Sequence, residues 1–191
     1  LGSFYEAKRR IVPCIRKIIV FFKSGGIMFF NIFFWIWGEK MEIRIERAAK
    51  LKEKPDQKAL GFGKYFTDHM FVYDWDREVG WHDARVVPYA PIAMDPACMV
   101  LHYAQETFEG LKAYRDAEGH ILLFRPEMNA KRMWNSNGRL CMAQVQPEEF
   151  VEAVEALVRV EKDWVPSAPD TSLYVRPFMF ATENSVGVHP A

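Results

Sequence analysis

The sequence predicts an α+β domain with a mixed or antiparallel sheet and flanking helices. Three observations carry this: aromatic and β-branched runs joined by Gly and Asp turn chemistry, two segments with helical character, and no internal repeat.

In chain order, residues 65–73, "YFTDHMFVY", read as a strand. "DWDREVGW" supplies a turn through Asp74, Asp76 and Gly80, and "HDARVVPY" is the return strand. "APIAMDPACMVLHYAQ" reads as a loop with two prolines. "LKAYR" and "HILLF" flank "DAEG", a hairpin signal in which Gly119 suits a positive φ. Pro126 ends the second strand, and "EMNAKRMWNSNGRLCM" reads as a helix that stops or breaks near Gly138. The clearest helix is "PEEFVEAVEALVRVEKDWV". Pro147 stands at its start, glutamates fill the first turn where the helix dipole favours them, and Phe150, Val151, Val154, Leu157 and Val158 recur on one face. "PSAPDT" is a loop, and "SLYVRPFMFA" is a strand with Ser172, Tyr174 and Arg176 on one face.

Apolar residues make up 50% of the 191, enough to build a core and to exclude a disordered chain. Lysines plus arginines number 25, as do aspartates plus glutamates, so no net charge recruits nucleic acid. Cys14, Cys98 and Cys141 are odd in number and far apart, which argues against a disulfide framework and for a reducing, cytoplasmic setting. No zinc-type spacing is present, and no metal is expected.

Residues 1–40 differ from the rest. A basic stretch precedes two apolar runs divided by Lys23, Ser24, Gly25 and Gly26. The run Ile27–Trp37 is short for a bilayer span, and no small-residue cleavage site follows it. The expectation is that 1–40 is translated upstream sequence and that Met41 starts a soluble domain over 41–191. Membrane association is expected only if residues 15–37 belong to the natural protein.

No nucleophile–base–acid set is spelled out locally, and the histidines are scattered. The arginines in combination are more informative. Arg125 and Arg176 stand before prolines, Arg132 lies in a helix, and two strands carry tyrosines. Arginine forks suit carboxylates and phosphates, and tyrosine adds a ring with a polar tip. A site of this composition would hold a small dianion or a phosphate-bearing cofactor beside an apolar pocket. Taken singly, each arginine has the plainer reading of a structural ion-pair partner.

The ordered segments "FGKYFTDHMF", "LHYAQETFEGLKAYR", "LLFRPEMNAKRM", "RLCM", "KDWVP" and "TSLYVRPFMFAT" resemble the amino-terminal half of a branched-chain amino acid aminotransferase, from about Leu60 to Ala191. That family is fold type IV among pyridoxal-phosphate enzymes, and the resemblance implies its small amino-terminal domain. It implies amino transfer between leucine, isoleucine or valine and 2-oxoglutarate, with pyridoxal 5'-phosphate as cofactor, in a homodimer that serves branched-chain amino acid biosynthesis or breakdown. It places Arg132 on the cofactor phosphate and Phe62, Tyr103, Phe108, Tyr174 and Arg176 around the substrate. Val188 matches a loop position that reaches the partner subunit's pocket. Arg125 is read as structural. Gly110 is read as allowing a tight turn after Phe108.

In the family the Schiff-base lysine lies in the carboxy-terminal domain, beyond the matched segments, as does the carboxylate that holds the pyridine nitrogen. Lys112 and Lys131 stand in the wrong motifs to replace that lysine. No catalytic residue is therefore assigned here, and these 191 residues alone are expected to be an inactive fragment. Other readings are a different fold-type IV enzyme, acting on D-amino acids or aminodeoxychorismate, or a non-catalytic interaction module.

Overall fold

The computed structural model describes residues 40–190. The expectations for the basic and apolar leader, through residue 39, lie outside the described residues.

Among the described residues, three small sheets and three α-helices make an α+β arrangement, as expected. The first sheet orders β1 (Arg44–Ile45), β3 (Gly80–Pro88) and β2 (His69–Asp76). β2 and β3 form the expected hairpin, from His69 opposite Pro88 to Asp76 opposite Gly80, with a bulge between Val72 and Asp74. Its turn is tighter than the sequence suggests. Asp76 Oδ1 accepts from the backbone N–H groups of Glu78 and Val79, each at 2.8 Å, and Gly80 takes φ +74°. The strand expected from Tyr65, β2, begins at His69. Asp68 and His69 are buried there because they carry a polar network. Trp164 Nε1 donates to Asp68 Oδ2 at 2.7 Å, Lys52 N to Oδ1 at 2.7 Å, and His69 bonds Glu161 through Nδ1.

The stretch read as a loop with two prolines contains a short helix, α1 (Met99–Tyr103). A five-residue helix leaves little periodicity to read. Tertiary contacts hold it, since Met99 N donates to Glu183 O at 2.9 Å and Val100 N to Ala181 O at 3.2 Å. Met99 and Cys98 are almost fully buried.

Two antiparallel ribbons continue one another. β4 (Glu106–Phe108) pairs with β8 (Phe178–Phe180), and β5 (Leu111–Arg115) pairs with β7 (Leu173–Val175). Phe108 faces Phe178 and Leu111 faces Val175, so one register runs through both. The predicted single strand "SLYVRPFMFA" is thus divided in two. The reason is Pro177, which has no N–H to return the bond that Glu109 N donates to Pro177 O at 2.8 Å. β6 (Ile121–Leu123) pairs with β5 as the expected hairpin, with Gly119 at φ +89°.

Pro126 does not close β6, which stops at Leu123. It opens α2 (Pro126–Arg139) from the first-turn position that tolerates a missing N–H. α3 (Pro147–Val160) carries Pro147 in the same place and a capping box between Gln146 and Glu149. Phe150, Val154 and Val158 are buried on its inner face, and Val151 packs at the margin. They join Leu111, Ala113, Val175, Ala130 and Met133 in a core between the β6–β5–β7 sheet and α2 and α3.

Candidate functional site

The β4–β5 and β7–β8 ribbon builds the site through its two faces. Residues paired across an antiparallel ladder share a face, and neighbours in sequence point oppositely. Phe108, Gly110, Tyr174 and Arg176 thus lie on one face, and Glu109 points to the other.

On the first face the Arg176 guanidinium lies over the Phe108 ring, 4.5 Å from its centroid, and 5.2 Å from that of Tyr174. Its Nη2 donates to Tyr174 Oη at 3.0 Å. Phe62 meets Tyr174 edge-on with centroids 5.0 Å apart. Phe62 and Phe108 are 72% and 63% exposed, so this aromatic wall faces outward around a cation instead of filling the core.

Gly110 belongs to the same wall, and here the sequence reading is corrected. Gly110 is not among the glycines with positive φ. Its requirement is space, because a Cβ there would lie 2.0 Å from Tyr174 Oη and 2.8 Å from its Cζ. The tyrosine tip occupies the volume a side chain would take.

On the opposite face Glu109 is buried, 8% exposed, against α2. Its Oε1 accepts from Arg132 Nε at 3.1 Å, and its Oε2 from Arg132 Nη2 at 2.7 Å and Asn129 Nδ2 at 2.8 Å. Asn129 also donates to Gly110 O at 3.1 Å. Burial works to raise the Glu109 carboxyl. The hydrogen bonds from Arg132 and Asn129 and the Arg132 charge outweigh it and hold its pKa below the ordinary carboxylate value. Arg132 in turn is raised above the usual arginine value, by its hydrogen bonds to Glu109 first and then by the carboxylate charge. The Arg132 side chain is 62% exposed.

Of the residues expected at the site, the structure gathers Phe62, Phe108, Tyr174 and Arg176. Arg132 bonds the next residue along the ribbon, on its other face. Tyr103 and Val188 form neither group's contacts. Tyr103 donates through its hydroxyl to Val186 O, and Val188 is 87% exposed in the same loop. Arg125 approaches Glu127 at 3.8 Å, an exposed pair at the start of α2. Sequence reasoning passed over Glu109 and Asn129, because the 20 to 23 residues between partners leave no local pattern. Asp116, Glu118 and His120 could bring ligand atoms within 4.8 Å of one another at the β5–β6 turn, but His120 already bonds Asp116 at 3.0 Å.

Comparison with curated proteins finds "Branched-chain-amino-acid aminotransferase 2" of Bacillus subtilis (strain 168), 52% identical over 149 residues. That match covers 78% of this chain and 41% of the relative. "Branched-chain-amino-acid transaminase 1" of the same organism is 53% identical over 146 residues, with 76% and 41% covered. This chain is homologous to the branched-chain aminotransferases. It spans about 41% of the length of these relatives. No protein-family model matches it. Among solved structures, a T.th. branched-chain amino acid aminotransferase complexed with N-(5'-phosphopyridoxyl)-L-glutamate is 32% identical. The match covers 55% of this chain and 33% of that one, at a TM-score of 0.46, and adds no weight to the sequence match. Among the described residues of this aminotransferase homologue, no helix is long and apolar enough to cross a membrane.

Proposed function

We propose that this chain is part of a pyridoxal-phosphate-dependent branched-chain amino acid transaminase, and that its ribbon forms the substrate-facing wall. The arrangement of Arg176 over Phe108 and beside Tyr174 is the observation that supports it. Such a transaminase must accept an aliphatic side chain and, in the second half of its cycle, the second carboxylate of 2-oxoglutarate. A guanidinium lying on aromatic rings meets both needs. The aromatic rings offer apolar surface to leucine, isoleucine or valine, and the guanidinium's unshared N–H groups can turn to a carboxylate. Phe62 extends the apolar wall in this reading, Tyr103 meets the substrate from beside the loop of Val186, whose carbonyl it bonds, and Val188 serves the pocket of a second subunit in a homodimer.

The donor set fits a phosphate-bearing cofactor. Arg132 holds a guanidinium fixed by Glu109, with Nη1 unbonded among the described residues. Pyridoxal phosphate, when bound, supplies the electron sink for a carbanion at the substrate Cα. This chain's residues orient the substrate and anchor the phosphate. The lysine that holds the cofactor is assigned to none of these 191 residues, so the isolated chain is inactive in this reading. The setting is cytoplasmic.

The test offers leucine, isoleucine, valine and D-alanine, each with 2-oxoglutarate and pyridoxal phosphate, to the protein made from the complete reading frame. The proposal requires glutamate from the three branched-chain substrates and none from D-alanine. Glutamate from D-alanine alone would move the protein to the D-amino acid branch of the fold. Leucine-dependent glutamate from the purified 191-residue chain would refute its inactivity.

A further inference from the structure

We infer that Glu109 is the positioning residue for Arg132, and that it reserves the end of the guanidinium, Nη1 with Nη2, for a phosphate. This rests on the reading of Arg132 as the phosphate anchor.

A guanidinium has two edges that can grip an oxyanion with paired hydrogen bonds: the side edge, Nε with Nη2, and the end edge, Nη1 with Nη2. Here Glu109 fills the side edge, with Oε1 on Nε and Oε2 on Nη2. No described residue bonds Nη1. A phosphate arriving at Arg132 therefore has the end edge open to it.

Glu109 is itself held from three directions. Asn129 donates to Oε2, the Glu109 N–H donates to Pro177 O, and the carboxylate lies buried between the ribbon and α2. The arginine's long stem is 62% exposed and would otherwise sample many rotamers. The buried carboxylate removes that freedom before any ligand binds. Its lowered pKa keeps it charged through the neutral range, so the clamp persists there. The same residue ties the phosphate side of the ribbon to the substrate side, since Glu109 bonds Pro177 beside Arg176 and Gly110 packs under Tyr174.

Positioning and simple charge make opposite predictions. A carboxylate beside a phosphate site repels phosphate, so removing its charge would tighten binding if charge alone mattered. If Glu109 positions Arg132, removal loosens binding. The experiment titrates pyridoxine 5'-phosphate, which has no aldehyde to react with lysines, into the full chain. Arginine side-chain signals are followed by nitrogen-15 NMR.

In the wild type, the Arg132 Nη signals should move while Nε–H stays bonded to Glu109 and protected from exchange. Glu109→Gln should weaken binding about tenfold or more, on the scale of one lost charge-assisted hydrogen bond. Glu109→Asp, which keeps the charge but shortens the reach, should weaken it as well. Tighter binding in E109Q, wild-type affinity in E109D, or a wild-type Nε–H that moves and loses protection would each overturn the inference. The last of these needs no variant to fold. The underlying reading fails separately: if Arg132→Gln leaves the affinity unchanged, or the wild type shows no response at Arg132, that arginine is not the phosphate anchor.

Discussion

Gly110→Ala puts the geometry of the ribbon to a sharp test, because the structure fixes both the size and the sign of the effect. The new Cβ would lie 2.0 Å from Tyr174 Oη, 2.8 Å from Cζ and 3.2 Å from Cε2. The tyrosine tip must withdraw by more than an ångström. Withdrawal strains the bond from Arg176 Nη2 to Tyr174 Oη, now 3.0 Å, and the edge-on contact with Phe62. Overpacking of this kind costs about 1–3 kcal/mol. The Tyr174 ring is only half-buried and can partly escape, which places the expected loss near the lower half of that range. Without the tyrosine the sign reverses. Gly110 has no positive φ, so alanine there restricts the unfolded chain and stabilises by roughly 0.4–1 kcal/mol. Urea unfolding followed by tryptophan fluorescence reads both backgrounds. G110A should destabilise the wild type and be neutral or stabilising in Tyr174→Ala. An equal effect in both backgrounds would refute the claim that Gly110 is there for Tyr174, and would return it to a backbone role.

Phe150→Ala removes the largest buried side chain of α3 from the core and should cost about 3–5 kcal/mol by urea denaturation; a loss under about 1 kcal/mol would show that the core is not packed as described. The carboxyls of Asp68 and Glu109 are both lowered in the folded state. For each, burial acts to raise the pKa and hydrogen bonds overcome it: from Lys52 N, Trp164 and Lys54 for Asp68, and from Arg132 and Asn129 for Glu109. A lowered folded-state pKa contributes stability that is full above the unfolded value and fades as pH falls through the folded one. The urea midpoint should therefore hold from neutral pH down to about pH 5 and drop below it, less steeply in Asp68→Asn. A midpoint flat through this acid range would contradict the buried placement of these groups. Arg176→Lys keeps the charge but loses the flat contact with Phe108, and should raise KM for leucine about tenfold in the complete protein with little change in fold. Unchanged steady-state kinetics would remove Arg176 from the substrate wall.

The elements with strong local signals were legible in the sequence. The β5–β6 hairpin announced itself through Gly119, and α3 through Pro147, its first-turn glutamates and the spacing of Phe150, Val154 and Val158. The helix at Met99–Tyr103 was not legible, because backbone bonds to Glu183 and Ala181 hold it and its own five residues carry no period. The break at Pro177 had a local cause in a residue without an N–H, yet its consequence depends on Glu109, a partner distant in sequence. At the site, the motifs named Phe108, Tyr174 and Arg176, and strand alternation correctly put the last two on one face. The Glu109 clamp on Arg132 and the packing of Tyr174 over Gly110 arise only when distant segments meet. Gly110 was recognised as special, but for a turn when the cause is a close approach.

Amino transfer from branched-chain substrates is the central functional claim. The most direct test is a single-turnover spectrum of the complete protein loaded with pyridoxal phosphate, taken after leucine is added without any oxo acid. Branched-chain amino transfer requires that leucine alone abolish the aldehyde-form absorbance, that 2-oxoglutarate restore it, and that D-alanine leave it unchanged. An absorbance indifferent to leucine, or discharged by D-alanine instead, would contradict it.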